Sequence, residues 1–182
     1  MTAGALPPAA PADRYTRVAV VLHWAIAALI LLQIGLGWYM VDLPKGPDRS
    51  WFIALHKSFG ITTAFLILLR VAWRLTHRPP ALPAWFPAWQ ARAAEITHRL
   101  LYLCMVLMPL SGYLSASFTK YPMKWFGMSF PKAGWEDDFI NAIFNGLHKG
   151  TSILLVALFV LHAGAALRHL FQGDGVFRRI LP

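Results

Sequence analysis

A single cysteine, Cys104, is the only thiol in 182 residues. That excludes a disulfide within the chain and leaves the redox compartment unreadable from this residue type. Cys104 sits inside an apolar block, where a lone thiol acts as a small buried apolar group. Acidic residues are also scarce, with 8 Asp+Glu against 17 Lys+Arg and a formal net charge of +9. Such an excess raises nucleic-acid binding, but that function calls for a basic face on a soluble fold. Here the cations flank apolar blocks, so nucleic acid is set aside and the charge is read as topology. Residues 1–13 are rich in Ala and Pro and lack a basic n-region. The apolar block that follows Arg14 and Arg17 exceeds the core of about 7–15 residues found in signal peptides. It is expected to be a retained helix. Neither a soluble domain nor an internal repeat is visible.

What the chain has is apolar length. Hydrophobic residues make up 57%, above the roughly 45–50% of soluble domains. They gather in four blocks, about 18–40, 51–75, 96–118 and 146–171. Each has roughly the 20 residues needed to cross about 30 Å of hydrocarbon. Pro44, Pro47, Pro79, Pro80, Pro83, Pro87, Pro122 and Pro131 break the intervening segments. Pro109 lies inside block three, where a membrane helix can tolerate it. Trp38, Tyr39, Trp51, Trp85, Trp89, Tyr121, Trp125 and Trp135 fall where aromatic belts sit at the lipid–water boundary. The expectation is all-α: a single transmembrane domain over 1–182, a four-helix bundle in a lipid bilayer. The polar-aromatic stretch 121–139 is expected to lie along the surface. One face would carry ten arginines, among them Arg14, Arg17, Arg70, Arg74 and Arg78. The other would carry seven basic residues diluted by acidic ones. The positive-inside rule then puts both termini in the cytoplasm.

Ionisable side chains inside a membrane segment are costly and mark function. Four histidines lie within the blocks: His23, His56, His148 and His162. His23 follows Arg17 by six residues and His162 precedes Arg168 by six, each about 9 Å from the cytoplasmic face. His56 and His148 both lie near the opposite ends of their blocks. His148 and His162 are 14 residues apart, so they differ by only about 40° around the helix and about 21 Å along it. The histidines therefore sort into two layers, His23 with His162 and His56 with His148. Two imidazoles from two helices, one on each side of a macrocycle, are what a haem iron needs. Interhelical hydrogen bonding is the rival reading for any one of them. Zinc is another, but it usually takes a third or fourth ligand, and neither layer offers an evident Cys or carboxylate. His169 lies seven residues beyond His162 on nearly the same face, and its place at the helix end argues against it. Gly35, Gly37, Gly60, Gly112 and Gly164 would let a porphyrin, or a neighbouring helix, approach closely.

The stretch Arg14-Tyr-Thr-Arg-Val-Ala-Val-Val-Leu-His23-Trp24 resembles the opening of bacterial cytochrome b561. So do Leu55-His56-Lys57-Ser-Phe-Gly60 with Arg70 and Arg74, then Leu147-His148-Lys149 and Val160-Leu161-His162-Ala163. The resemblance runs from about Arg14 to Phe171. It implies a multi-pass protein of the bacterial inner membrane with two haem b groups, His23/His162 and His56/His148 being the iron ligands. It implies exchange of electrons with the quinone pool, and similarity to superoxide oxidases that reduce ubiquinone. The alternative is a cytochrome b subunit that docks with a separate dehydrogenase or hydrogenase-type redox partner. Lys57 and Lys149 each follow a histidine of one layer, with Lys120, Lys124 and Lys132 on the same side. Such a basic rim would draw in a small anionic donor such as superoxide. The same lysines could equally neutralise haem propionates or lipid phosphates. At the other face His98, Arg70, Arg74 and Arg99 form a candidate polar cluster. The preferred reading of it is topology arginines beside a helix-start histidine. Gln33 and Ser111 are polar and intrahelical, without an assigned layer.

Overall fold

A computed structural model describes residues 14–83 and 85–181. The N-terminal segment 1–13, on which the signal-peptide reading turns, lies outside them. Four helices run α1 Arg17–Asp42, α2 Pro47–Thr76, α3 Ala88–Ser117 and α4 Asp138–Gln172. All four are long and apolar enough to cross a membrane. α1 packs on α2, α2 on α3 and α3 on α4, an up-and-down bundle. The start of α1 and the end of α4 share one end, called here the terminal end. There the Tyr15 amide donates to the Arg179 carbonyl (3.3 Å) and the Trp24 indole to the Ile180 carbonyl (2.8 Å).

Local chemistry sets the helix limits. Thr16 caps α1 by accepting from the Ala19 amide, and Asp137 caps α4 by accepting from Ile140. Pro47 stands at the first turn of α2, where its missing N–H is no loss. Pro79 and Pro80 follow the end of α2. Gly173, with φ of 65°, closes α4 in the left-handed conformation. α3 runs unbroken through Pro109. α3 and α4 each begin eight residues before their apolar blocks, because a helix needs no apolar residues where it leaves the bilayer.

Inward-facing side chains are few and concentrated. Ile26, Ile30, Ile67, Cys104, Leu155 and Leu158 form one buried cluster. Outward residues such as Val21, Leu31, Leu68, Ile153 and Val160 are exposed, as lipid-facing positions of a spanning bundle are. Ser58, Thr62, Thr63 and Ser111 turn their hydroxyls back onto carbonyls of their own helices. That satisfies them where no water is at hand.

The all-α bundle carries one small addition in the segment between α3 and α4. Lys124–Trp125 (β1) and Met128–Ser129 (β2) pair antiparallel around a turn at Phe126 and Gly127, whose φ values of 46° and 88° are both positive. It does not simply lie along the surface. The hairpin docks on α2: the Trp125 indole donates to Thr62 (3.1 Å), the Phe126 amide donates to Ser58 (3.0 Å), and Met123 is buried. These bonds hold Phe126 in a backbone region that bulky residues avoid. This end of the bundle is called the hairpin end.

Candidate functional site

The bundle brings the four intramembrane histidines together in pairs. His23 on α1 faces His162 on α4 with ring centroids 6.1 Å apart, and His56 on α2 faces His148 on α4, also at 6.1 Å. The apolar cluster lies between the two pairs along the chain: Ile26 and Ile30 follow His23, Ile67 follows His56, and Leu155 and Leu158 separate His148 from His162. The molecule thus holds two imidazole pairs with an apolar layer between them.

That spacing can be tested against a planar metal cofactor. Two metal–imidazole bonds of about 2.0 Å each, plus the radii of the two rings, place the ring centres about 6 Å apart. Both pairs match. The surroundings of the hairpin-end pair fit as well. The His148 Nδ1 lies 2.9 Å from the Met108 carbonyl. A carbonyl only accepts, so Nδ1 carries the proton and Nε2 is left with a free lone pair. His56 Nδ1 and Gln33 Oε1 are buried and without a partner, while the Gln33 amide donates to the His56 carbonyl (3.0 Å). A Cβ added at Gly112 would stand 3.0 Å from His148 Cε1, and one at Gly37 would stand 3.5 Å from His56 Cε1. Glycine gives the imidazole room at Gly112, whereas at Gly37 a Cβ would make only an ordinary contact. Gly60 gives Gln33 room, since a Cβ there would stand 3.0 Å from Nε2, whereas one at Gly35 or Gly164 would meet no atom of a neighbouring helix within 4 Å, so neither is called for by a neighbouring helix.

The terminal-end pair is more crowded. Arg70 donates to the Ala19 carbonyl (3.0 Å) and reaches His23 Nδ1 at 3.4 Å. The second contact is long. It also opposes metal binding through Nε2, because an imidazole so ligated keeps its proton on Nδ1 and cannot accept. The firmer bond to Ala19 holds the guanidinium in place without it. His98 is no helix-start residue: α3 begins at Ala88, and the His98 ring lies 5.3 Å from that of His162. It is exposed, and within electrostatic reach of Arg70 and Arg74. Arg99 leaves the cluster and pairs with Glu95 one turn back. His169 is turned away, bonded to Asp174 at 2.5 Å.

Gln33 and Ser111, without an assigned layer on periodicity alone, both lie at the hairpin-end pair. Ser111 is buried 3.4 Å from His148 Nδ1. No periodicity rule places a side chain of α1 beside His56 of α2, or one of α3 beside His148 of α4. The lysines separate. Lys57 is half-buried and feels the charge of Lys132, whereas Lys149 is exposed. Lys132 in turn donates to the Thr119 carbonyl.

Comparison with known proteins agrees with this architecture. The family model described as prokaryotic cytochrome b561 matches residues 14–182. Cytochrome b561 homolog 2 of Escherichia coli is 32% identical, over 93% of this chain and 92% of its own length. Cytochrome b561 homolog 1 of the same organism is 24% identical, over 93% and 98%. A protein of Yersinia pestis named as a probable superoxide oxidase, CybB, is 25% identical, over 93% and 96%.

Proposed function

The chain belongs to the prokaryotic cytochrome b561 family, and from that premise we propose that it holds two haem b groups, one between His23 and His162 and one between His56 and His148. They would pass electrons through the bacterial inner membrane from superoxide to ubiquinone. The observation that carries this reading is the repeated 6.1 Å imidazole spacing at two depths of one bundle. Bound haem supplies a one-electron redox centre. The chain's own residues do the rest. His148 is held by the Met108 carbonyl with Nε2 free, and Gln33 ties down the backbone that carries His56. The apolar cluster keeps water from joining the two sites.

The lysines of the hairpin end supply attraction for an anionic donor. Lys57 and Lys149 flank the two histidines of that layer, and Lys132 adds a third charge. Clefts of one sign raise the arrival rate of small ions of the other. Each superoxide oxidised leaves as dioxygen and gives one electron. Ubiquinone needs two electrons and two protons, so two superoxides balance one ubiquinol. At the terminal end the exposed imidazole of His98, beside His162, is placed to hydrogen-bond a quinone carbonyl. With the terminal end cytoplasmic, as the arginine excess indicates, those protons come from the cytoplasm.

Reduced-minus-oxidised spectra of the purified protein test the assignment. Wild type should show two haems b. His23→Ala and His162→Ala should lose the same one, and His56→Ala and His148→Ala the other. Absence of b-type bands in wild type, or loss of different haems by the two members of a pair, would end the proposal.

A further inference from the structure

Beside the terminal-end histidines, yet apart from them, a cavity of about 350 Å³ opens where α1 begins and α2 ends. Arg14, Arg70, Arg74 and Arg78 all line it, together with Trp73 and Tyr102. Among the described residues no carboxylate lines it, and the ion pairs found among them lie elsewhere, Arg99 with Glu95 and His169 with Asp174. Arg70 is anchored on the Ala19 carbonyl. Arg14, Arg74 and Arg78 are exposed, line one small space, and among the described residues form no ion pair. Four cations do not converge without cost unless an anion joins them. The guanidinium is a two-pronged donor that matches phosphate oxygens. The level suits lipid headgroups, since it lies at the end of α2, where Arg74 stands in the last turn and Arg78 just beyond it. The Trp73 indole, bonded to Thr16 and stacked on His77, gives this level an interfacial aromatic wall. Basic pockets between membrane helices are suited to phospholipid headgroups.

We propose that this pocket is a phosphate site, filled by the headgroup of an anionic phospholipid or by free phosphate. The site does not depend on the haem ligation proposed above, and Arg70 is left intact in the test because it touches His23.

Full-length protein purified with its haem is equilibrated with phosphatidylcholine micelles, with or without cardiolipin, then stripped. The lipid retained per chain is counted by native mass spectrometry. Wild type should retain cardiolipin and not phosphatidylcholine. One arginine near an anionic lipid surface is worth about fivefold in affinity, so Arg74→Gln with Arg78→Gln should weaken retention about 30-fold. Lys120→Gln with Lys124→Gln, at the hairpin end, should leave it unchanged. A second arm adds inorganic phosphate in phosphatidylcholine alone and follows thermal unfolding. Stabilisation there that the arginine variant loses, without retained cardiolipin, assigns the site to free phosphate. If the paired variant fails to fold, Arg78→Gln alone is measured, with an expected fivefold loss. No retention and no phosphate effect in wild type overturns the proposal, as does equal retention by wild type and the arginine variant.

Discussion

Replacing Gly112 by alanine sets one methyl group against the His148 imidazole. The added Cβ would lie 3.0 Å from Cε1 and 3.1 Å from Nδ1, whereas carbon atoms in good contact sit at about 3.5–4.0 Å. The ring must therefore retreat by about 0.5 Å. It is not free to do so, because its Nδ1 is bonded to the Met108 carbonyl at 2.9 Å. A half-ångström retreat takes that bond to the limit of a useful one. Overpacking of this kind costs about 1–3 kcal/mol, and the helix recovers about 1 kcal/mol from the better propensity of alanine. Gly37→Ala is the matched control. Its Cβ would meet His56 Cε1 at 3.5 Å, an ordinary contact, so only the propensity gain of about 1 kcal/mol remains. The two variants should thus differ by about 2 kcal/mol, with Gly112→Ala the weaker. For a chain of this length that corresponds to about 5 °C in Tm. Thermal unfolding in detergent and haem difference spectra measure both effects. Gly112→Ala should lose or shift the same haem that His148→Ala removes, and Gly37→Ala should keep both. Equal Tm and equal spectra in the two variants would refute the claim that Gly112 makes room for the His148 ring.

Two further outcomes follow from the charges. Haem reduction by superoxide should slow as salt is added, and Lys57→Gln with Lys149→Gln should reduce both the rate and its salt dependence by several-fold; an unchanged stopped-flow rate in the double variant rejects the attraction. Asp174 lies just past α4, where burial pushes its carboxyl up. Hydrogen bonds from His169 and the Val176 amide, with the charges of His169 and Arg168, outweigh that and hold it below the usual carboxylate range. A carboxyl depressed in the folded chain adds its full stability above the unfolded value of about 3.9 and loses it as pH falls through the folded value. Unfolding followed from pH 6 downward should therefore show a steeper acid limb in wild type than in Asp174→Asn, and matching limbs would contradict the assignment.

The histidine pairs were legible because helix rise and rotation are fixed: equal depth and a shared face are arithmetic on residue numbers. The ends of α3 and α4 were not, because apolar length marks only the part of a helix that lipid covers. The first turns of α3 contain Gln90, Arg92 and Glu95, and α4 opens on Asp138 under the Asp137 cap. His98 was misjudged for that reason, since it lies eleven residues into a helix that hydropathy begins at Ile96. The hairpin was hidden by its own turn. Phenylalanine is no turn residue, and Phe126 takes a positive φ only because a serine on α2 receives its amide and Phe59 receives its ring. Gln33 and Ser111 needed the same tertiary information.

The apolar cluster between the imidazole pairs has an energetic consequence at the scale of the membrane. Ile26, Ile30, Ile67, Cys104, Leu155 and Leu158 bring no carboxylate or imidazole among them to relay a proton. With haem held at both levels as proposed, an electron handed from the His148 level to the His162 level would travel without a compensating proton. The move covers about 21 Å of a hydrocarbon layer about 30 Å thick, so it crosses roughly two-thirds of the voltage drop. At about 2.3 kcal/mol per charge per 100 mV, that is about 1.5 kcal/mol for each electron at 100 mV. Turnover driven from the hairpin end would carry negative charge toward the terminal end, so a potential negative at the terminal end would slow it and the opposite potential would speed it.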